Sequence, residues 1–281
     1  MDHNRQKKIA VINDFCGFGR CSLSVALPII SALKVQCCPL PTSIFSNHTG
    51  FDRFFSTDFT AHMPAYVEEW EALDLRFSGI LTGFLGAPEQ ILLVRNFFER
   101  FKREDTVVVV DPVMGEEGKL YPSYSPRLAR EMAELLPFAE ILTPNLTEAC
   151  ILTDTPYRED MGEEELFLLC RSLSEMGPKK VVISGLSHGS RMDNFVYEQG
   201  KRPCLVSEDK EGPCRSGTGD VFSAILAADA VRGVPFADSV AHAAHFIARV
   251  LRRTREWEIP KTDGICFEEF LTEIERRPEK R

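Results

Sequence analysis

The densest chemistry in the chain is Gly217-Thr218-Gly219-Asp220, where a polar, turn-rich loop (Glu211 to Ser216) meets an apolar helix-forming run from Val221. Two glycines let the backbone turn sharply and present consecutive N–H groups, and the following helix adds the positive end of its dipole. An anion is favoured there. Asp220 closes the motif. A carboxylate beside a helix N-terminus is held ionised and accepts the proton of a hydroxyl lying against it, while the amides stabilise charge on a transferring phosphoryl group. Alone, the four residues also read as a glycine loop with Asp220 as a helix N-cap.

The elements that must position this turn follow from periodicity. Lys8 to Ile12 reads as a strand, Ser22 to Leu33 as a helix, Val35 to Phe45 as extended, Thr60 to Leu73 as a helix capped by Asp58, and Ile80 to Phe84 as a strand. Pro88 stands in the first turn of an amphipathic helix to Phe101, and Thr106 to Val110 is continuously apolar, as a strand buried on both faces should be. Ser125-Pro126 opens a helix to about Leu136. Glu140 to Thr143 is a strand, Thr147 to Leu152 and Glu163 to Met176 are helices, and Lys180 to Ser184 is another buried strand. Asn194 to Gln199 and Pro203 to Ser207, parted by Gly200, predict an antiparallel hairpin at the sheet edge. Helices Val221 to Val231, Phe236 to Arg252 and about Phe267 to Glu275 complete the chain.

Repeated βα units predict a three-layer α/β/α fold with a mostly parallel central sheet, a small antiparallel edge hairpin, and ligands beyond the carboxyl ends of the strands. The polar punctuation falls on that rim: Asn13-Asp14, Ser46-Asn47-His48-Thr49-Gly50, Thr82-Gly83, Asp111-Pro112, Thr143-Pro144-Asn145 and Ser184-Gly185. Each is by itself an ordinary turn composition, but their joint placement at successive strand ends predicts a rim active site.

Composition narrows the classes. With 281 residues, 44% hydrophobic and 27% charged, one domain over 1–281 is the simplest division. A formal charge of −9 with scattered Lys and Arg argues against nucleic-acid binding, and Arg249 to Arg255 reads as a solvated helix face. Met1 to Lys8 is polar and no run is long enough to span a bilayer, so no membrane partner and a cytoplasmic location are expected. Nine cysteines, several in apolar runs, suit a reducing compartment. There is no C-x-x-C, Cys16 and Cys21 are five apart, and His242 and His245 lack a carboxylate or thiol in the local sequence, so zinc is not expected. Cys214, three residues before Gly217, reads as an uninvolved loop thiol near the anion site.

A set of segments carries a resemblance: Phe45-Ser46-Asn47-His48-Thr49-Gly50, Leu81-Thr82-Gly83-Phe84-Leu85-Gly86, Val110-Asp111-Pro112-Val113-Met114-Gly115, Thr143-Pro144-Asn145 with Glu148, and Gly217-Thr218-Gly219-Asp220. Together they closely resemble the pyridoxal/pyridoxamine (vitamin B6) kinases of the ribokinase superfamily, from about residue 7 to about 255. G-T-G-D is shared by many ribokinase-like enzymes and points to chemistry. S-N-H-T-G with D-P-V-x-G points to the B6 substrates.

The resemblance implies a kinase using ATP and Mg2+, with a homodimeric assembly. Asp220 would take the proton of the substrate's 5′-hydroxymethyl group, and the backbone of Gly217, Thr218 and Gly219 would form the anion hole. Asn13, Asp14, His48, Thr49 and Phe84 would line the ring pocket. Asp111, Thr143, Asn145, Glu148 and Ser184 would serve the nucleotide, with Asp111 and Glu148 around the metal, partly through water. Three positions depart from the family pattern: Glu116 in place of aspartate, Phe84 in place of tyrosine, and Ser184-Gly185 in place of a Thr-Ser pair. A hydroxymethylpyrimidine kinase is the nearest alternative, although its motif usually ends in cysteine where Asp220 stands. A regulator that binds vitamer or nucleotide without turnover is a third reading, opposed by the intact Asp220. A dinucleotide-binding oxidoreductase fails because Gly17-Phe18-Gly19 is followed by Ser22 where G-x-G-x-x-G needs its third glycine.

Overall fold

In the computed structural model, which describes residues 2–275, the chain builds a nine-stranded sheet in the order β11-β10-β9-β8-β5-β4-β1-β2-β3. The first half supplies β1 (Lys8–Phe18), α1 (Leu23–Ala32), β2 (Gln36–Asn47), the short β3 (Ser56–Asp58), α2 (Met63–Ala72), β4 (Gly79–Thr82), α3 (Pro88–Phe101) and β5 (Val107–Val110). A separate two-stranded ribbon, β6 (Gly115–Glu116) and β7 (Lys119–Leu120), precedes α4 (Pro126–Glu131) and β8 (Ile141–Leu142). Then come α5 (Leu146–Leu152), α6 (Glu163–Glu175), β9 (Lys180–His188), β10 (Arg191–Glu198), β11 (Cys204–Asp209), α7 (Thr218–Val231) and α8 (Phe236–Glu256). Strands β9, β8, β5, β4, β1 and β2 run parallel, while β10, β11 and β3 add antiparallel edges.

Strand alternation sends neighbouring residues into two cores. Ala10, Ile12, Val108 and Val110 face a core closed by helices α2 to α6, while Ile9, Val11 and Val109 face one closed by α1, α7 and α8. Helix α3 shows how the pattern works: Ile91, Val94, Phe97, Phe98 and Phe101 recur at helical spacing and are all buried, with Pro88 at its start. Truncating Phe98, which is fully buried, would cost about 3–5 kcal/mol. Among the described residues no helix is long and apolar enough to cross a membrane, and all nine cysteines are free thiols.

Four expectations need correction. The first strand runs six residues past Ile12 because β1 stays paired with β2 out to Phe18↔Asn47, beyond the point where its other neighbour β4 ends at Ile12↔Thr82. The edge hairpin is wider than the predicted pair, since β9 continues to His188 and turns directly into β10, making three connected strands. The last helix is a 3-10 turn, Glu268–Glu273, and the predicted helices at 60 and 125 also have 3-10 portions, Thr60–His62 and Met132–Phe138. Asp58 accepts from the Thr60 amide at 2.6 Å, but the caps fall at Phe59 and His62 without a side-chain cap bond, so the expected Asp58 cap is not formed.

Candidate active site

The carboxyl ends of β1, β4, β5, β8 and β9 converge with the N-terminus of α7. Opposite Asn13-Asp14 the β1–β2 pairing slips: β2 uses three steps, Pro41 to Ile44, where β1 uses two, Asn13 to Phe15. Such irregularities re-aim side chains beside functional sites. Asn13 and Asp14 are both buried, continuing the unbroken burial of β1 from Lys8 between the two cores. Gly17 lies within β1 itself, so Gly17-Phe18-Gly19 is a strand end and not a phosphate turn.

At the entrance of α7, Gly217 adopts φ 85°, and a Cβ there would sit 2.2 Å from the Arg20 carbonyl oxygen, so glycine is required for both reasons. The Thr218 amide reaches the Arg215 carbonyl at 3.4 Å, and the Asp220 amide turns onto its own carboxylate. Gly219 is exposed in the first turn, where helical position leaves its amide without an intrahelical partner, making it the most open donor of the motif. Cys214 lies nearby, its sulfur 4.0 Å from Thr218 Oγ1.

Asp220 is half-buried in this first turn. Asn13 Nδ2 donates to its Oδ1 at 3.2 Å, and the Ser22 amide also bonds the carboxylate. Burial raises the Asp220 pKa, and these donors pull it back down. The other end of the Asn13 amide accepts from the Asp14 amide at 2.9 Å and the Phe84 amide at 2.8 Å. Asp14, beside it, is pushed up to about 7 by burial, with the Ser22 hydroxyl lowering it and the Asp220 charge raising it.

Further along the rim, Asp111 is buried and its pKa lies well above the carboxylate range because of burial and the charges of Glu148 and Asp220. The Ser223 and Thr143 hydroxyls ease its ionisation, yet Thr143 Oγ1, like Thr82 Oγ1, forms no hydrogen bond of normal geometry. Asn145 and Glu148 make a capping box at α5: Asn145 Oδ1 accepts from the Glu148 amide at 3.0 Å, and Glu148 Oε2 from the Asn145 amide at 2.8 Å. Glu148 Oε1 also accepts from the Met114 amide at 3.0 Å, and Asn145 Nδ2 donates to the Gly115 carbonyl at 2.8 Å. Burial lifts Glu148 to about 8 against these amide bonds. Ser184 closes the row through a bridge to Asn145 and an amide bond to the Pro144 carbonyl at 2.9 Å.

The predicted residues therefore gather on one rim, with differences in what they touch. Asn13 is spent on Asp220 and backbone amides. His48 is held by the Thr262 carbonyl at 2.7 Å and the Gly50 amide at 3.0 Å, and Thr49 is exposed with no side-chain hydrogen bond among the described residues. Phe84 packs edge-on against Phe45 and Tyr124, at centroid distances of 6.1 and 5.7 Å, forming an aromatic wall. Tyr124, Ser22 and Ser223 were not singled out from sequence. Ser22 has φ 57°, a conformation rare outside glycine that marks strain at a functional turn and leaves no trace in composition. Among the described residues no three His, Cys, Asp or Glu side chains are set to hold a metal. The acids and unpartnered threonine hydroxyls are all hard oxygen donors.

A parallel sheet with a G-T-G-D helix entrance and a rim of paired acids defines a small-molecule kinase with ribokinase-like architecture. The chain belongs to the phosphomethylpyrimidine kinase family, whose profile matches residues 27–265. It is similar to a Bacteroides thetaiotaomicron protein provisionally assigned as a phosphomethylpyrimidine kinase. Two crystal forms of that protein are known, one at 36% identity and TM-score 0.96 over 100% of this chain and 98% of the other. The second form, solved with pyridoxal, gives 35% identity and TM-score 0.93 over 98% of each chain. Pyridoxal kinase from Lactobacillus plantarum is 25% identical, with TM-score 0.88 over 95% of this chain and 96% of that one. A pyridoxal kinase of Arabidopsis thaliana is 31% identical over 67% of this chain, and the match spans 62% of that relative's length.

Proposed function

We propose that the chain transfers the γ-phosphoryl group of ATP to the 5′-hydroxymethyl group of a vitamin B6 vitamer: pyridoxal, pyridoxamine or pyridoxine. The observation that carries this reading is that Asn13 joins the Asp220 carboxylate to the Phe84 backbone, so the base and the aromatic wall form one unit. The relative solved with pyridoxal supports the choice of ring.

In this reading Asp220 accepts the proton of the substrate hydroxyl as its oxygen bonds the γ-phosphorus. The bond from that phosphorus to the β–γ bridging oxygen breaks, and ADP leaves with the electron pair. The open Gly219 amide and the dipole of α7 stabilise charge on the transferring group. Phe84, Phe45 and Tyr124 orient the ring by edge and face contacts. Magnesium fits the donor set: Asp111 and Glu148 would hold it largely through water, and when bound it neutralises phosphate charge. The repulsion among Asp111, Glu148 and Asp220 is what a cation would relieve. The expected setting is a cytoplasmic homodimer of one-domain subunits.

Hydroxymethylpyrimidine is the second acceptor to consider, because the matching family is named for phosphomethylpyrimidine and one relative is named as a kinase of both hydroxymethyl- and phosphomethylpyrimidine. The deciding experiment is an acceptor screen with ATP and magnesium in excess. ADP release with a B6 vitamer and little with hydroxymethylpyrimidine is the expected result; the reverse order would replace the substrate, and nucleotide binding without ADP release would mean a regulator.

A further inference from the structure

The resemblance places Asn13 at the wall of the ring pocket, but both ends of its amide are engaged within the protein. Nδ2 is engaged with Asp220, 3.2 Å away, and Oδ1 takes two amides, those of Asp14 and Phe84. Three elements thus meet on one side chain: the middle of β1, just past its pairing with β4, the loop after β4 and the first turn of α7. Because the side chain is buried and bonded at both ends, its flip state is fixed: the oxygen must face the two N–H donors, which leaves the NH2 for the carboxylate. Its seat is just as restricted. A Cβ at Gly83 would come within 2.4 Å of Asn13 Nδ2, 2.5 Å of its Cγ and 2.8 Å of its Oδ1.

We propose that Asn13 is a positioning residue for the phosphoryl-transfer base: it fixes the orientation of the Asp220 carboxylate toward the acceptor hydroxyl, and Gly83 is glycine so that Asn13 can occupy that place. The inference deepens the kinase reading and rests on it. A carboxylate at a helix start is free to rotate about two side-chain bonds, and a base displaced by about 1 Å loses roughly 100-fold in rate. The Ser22 amide and Asp220's own amide also bond this carboxylate, and the directional Asn13 donor on Oδ1 fixes its remaining rotation.

The test compares Asn13→Ala, Asn13→Ser and Gly83→Ala in steady-state kinetics, with crystal structures of the variants. Asn13→Ala should lower kcat roughly 10- to 100-fold while KM for the acceptor and for ATP stays within about threefold. Gly83→Ala, which touches neither Asp220 nor substrate in this account, should reproduce that split by displacing Asn13, and Asn13→Ser should recover part of the rate because a donor remains. The variant structures should show the Asp220 side chain turned from its original orientation. A raised acceptor KM with kcat held would make Asn13 a ring ligand and overturn the proposal, as would an unmoved Asp220 in the Asn13→Ala crystal. The crystal readout does not depend on turnover, so a wild-type protein that phosphorylates no acceptor would end the kinase reading while Asp220's orientation is still tested. Should Asn13→Ala not fold, Gly83→Ala carries the same comparison.

Discussion

His48 Nε2 lies 2.7 Å from the carbonyl oxygen of Thr262, tying the loop after β2 to a segment 214 residues away in sequence. The Gly50 amide donates to Nδ1, so the ring proton resides on Nε2 and is given to Thr262. The same C-terminal segment takes the Arg215 guanidinium on the carbonyls of Ile259 and Pro260, both at 2.9 Å, just before the Gly217 turn. His48 is thereby a brace between two parts of the site, with neither nitrogen left for a substrate.

Replacing His48 with Ala removes both bonds and the ring contact to Phe51 at 4.8 Å. The expected loss is about 1–3 kcal/mol, which in a chain of this size lowers Tm by several degrees. Acceptor KM should rise more than kcat falls, because the loop it holds borders the pocket. Thermal melting together with kinetics checks this; an unchanged Tm would remove the bracing role.

Asp220→Asn keeps an oxygen for the Asn13 donor and the Ser22 amide but cannot take a proton. Turnover should fall roughly 10²–10⁴-fold with melting temperature and nucleotide affinity retained. Rates near wild type would dismiss Asp220 as the base.

The acids of the rim predict an uncommon pH dependence of stability. Asp14 is lifted to about 7 and Glu148 to about 8 by burial, so the folded state binds protons that the unfolded chain has already released. Groups with raised folded pKa values contribute stability that is complete below the unfolded pKa and is lost as pH climbs through the folded one. The ligand-free protein should therefore melt at lower temperature as pH goes from about 5 to about 8.5. Asp14→Asn should flatten part of that fall, and magnesium with a non-hydrolysable nucleotide should offset it. Differential scanning calorimetry across pH decides the matter, and a melting temperature that rises over this window would refute the reading of the cluster.

Much of this organisation was legible in the residues, for physical reasons. Pro88 and the spacing from Ile91 to Phe101 define α3 because a capped amphipathic helix has a distinct period, and Val107 to Val110 reads as a buried strand because no polar residue interrupts it. The rim residues were visible as polar punctuation after apolar runs. Which way each one points was not, since that depends on the one-residue slip between β1 and β2 and on the left-handed turn at Ser22, neither of which has a local signature. Likewise the partners of His242, Asp229 at 2.8 Å and the Ile274 carbonyl, lie 13 and 32 residues away, beyond any local pattern.

Glu148 was expected at the metal, yet both of its oxygens accept backbone amides, from Met114 and Asn145. Gln at this position keeps one acceptor and turns an NH2 toward the other amide, setting donor against donor. Glu148→Gln should therefore cost about 1–3 kcal/mol of stability from the unmet amide alone. If Glu148 also reaches magnesium through water, the magnesium concentration for half-maximal rate should rise as well, because a neutral amide attracts a hydrated cation far less than a carboxylate does. The two effects separate in one pair of measurements, melting in the absence of metal and rate against magnesium. The expected result is a change in both; a lower Tm with an unaltered magnesium dependence would leave Glu148 as the brace of the Met114 to Asn145 loops and Asp111 as the acid the metal needs.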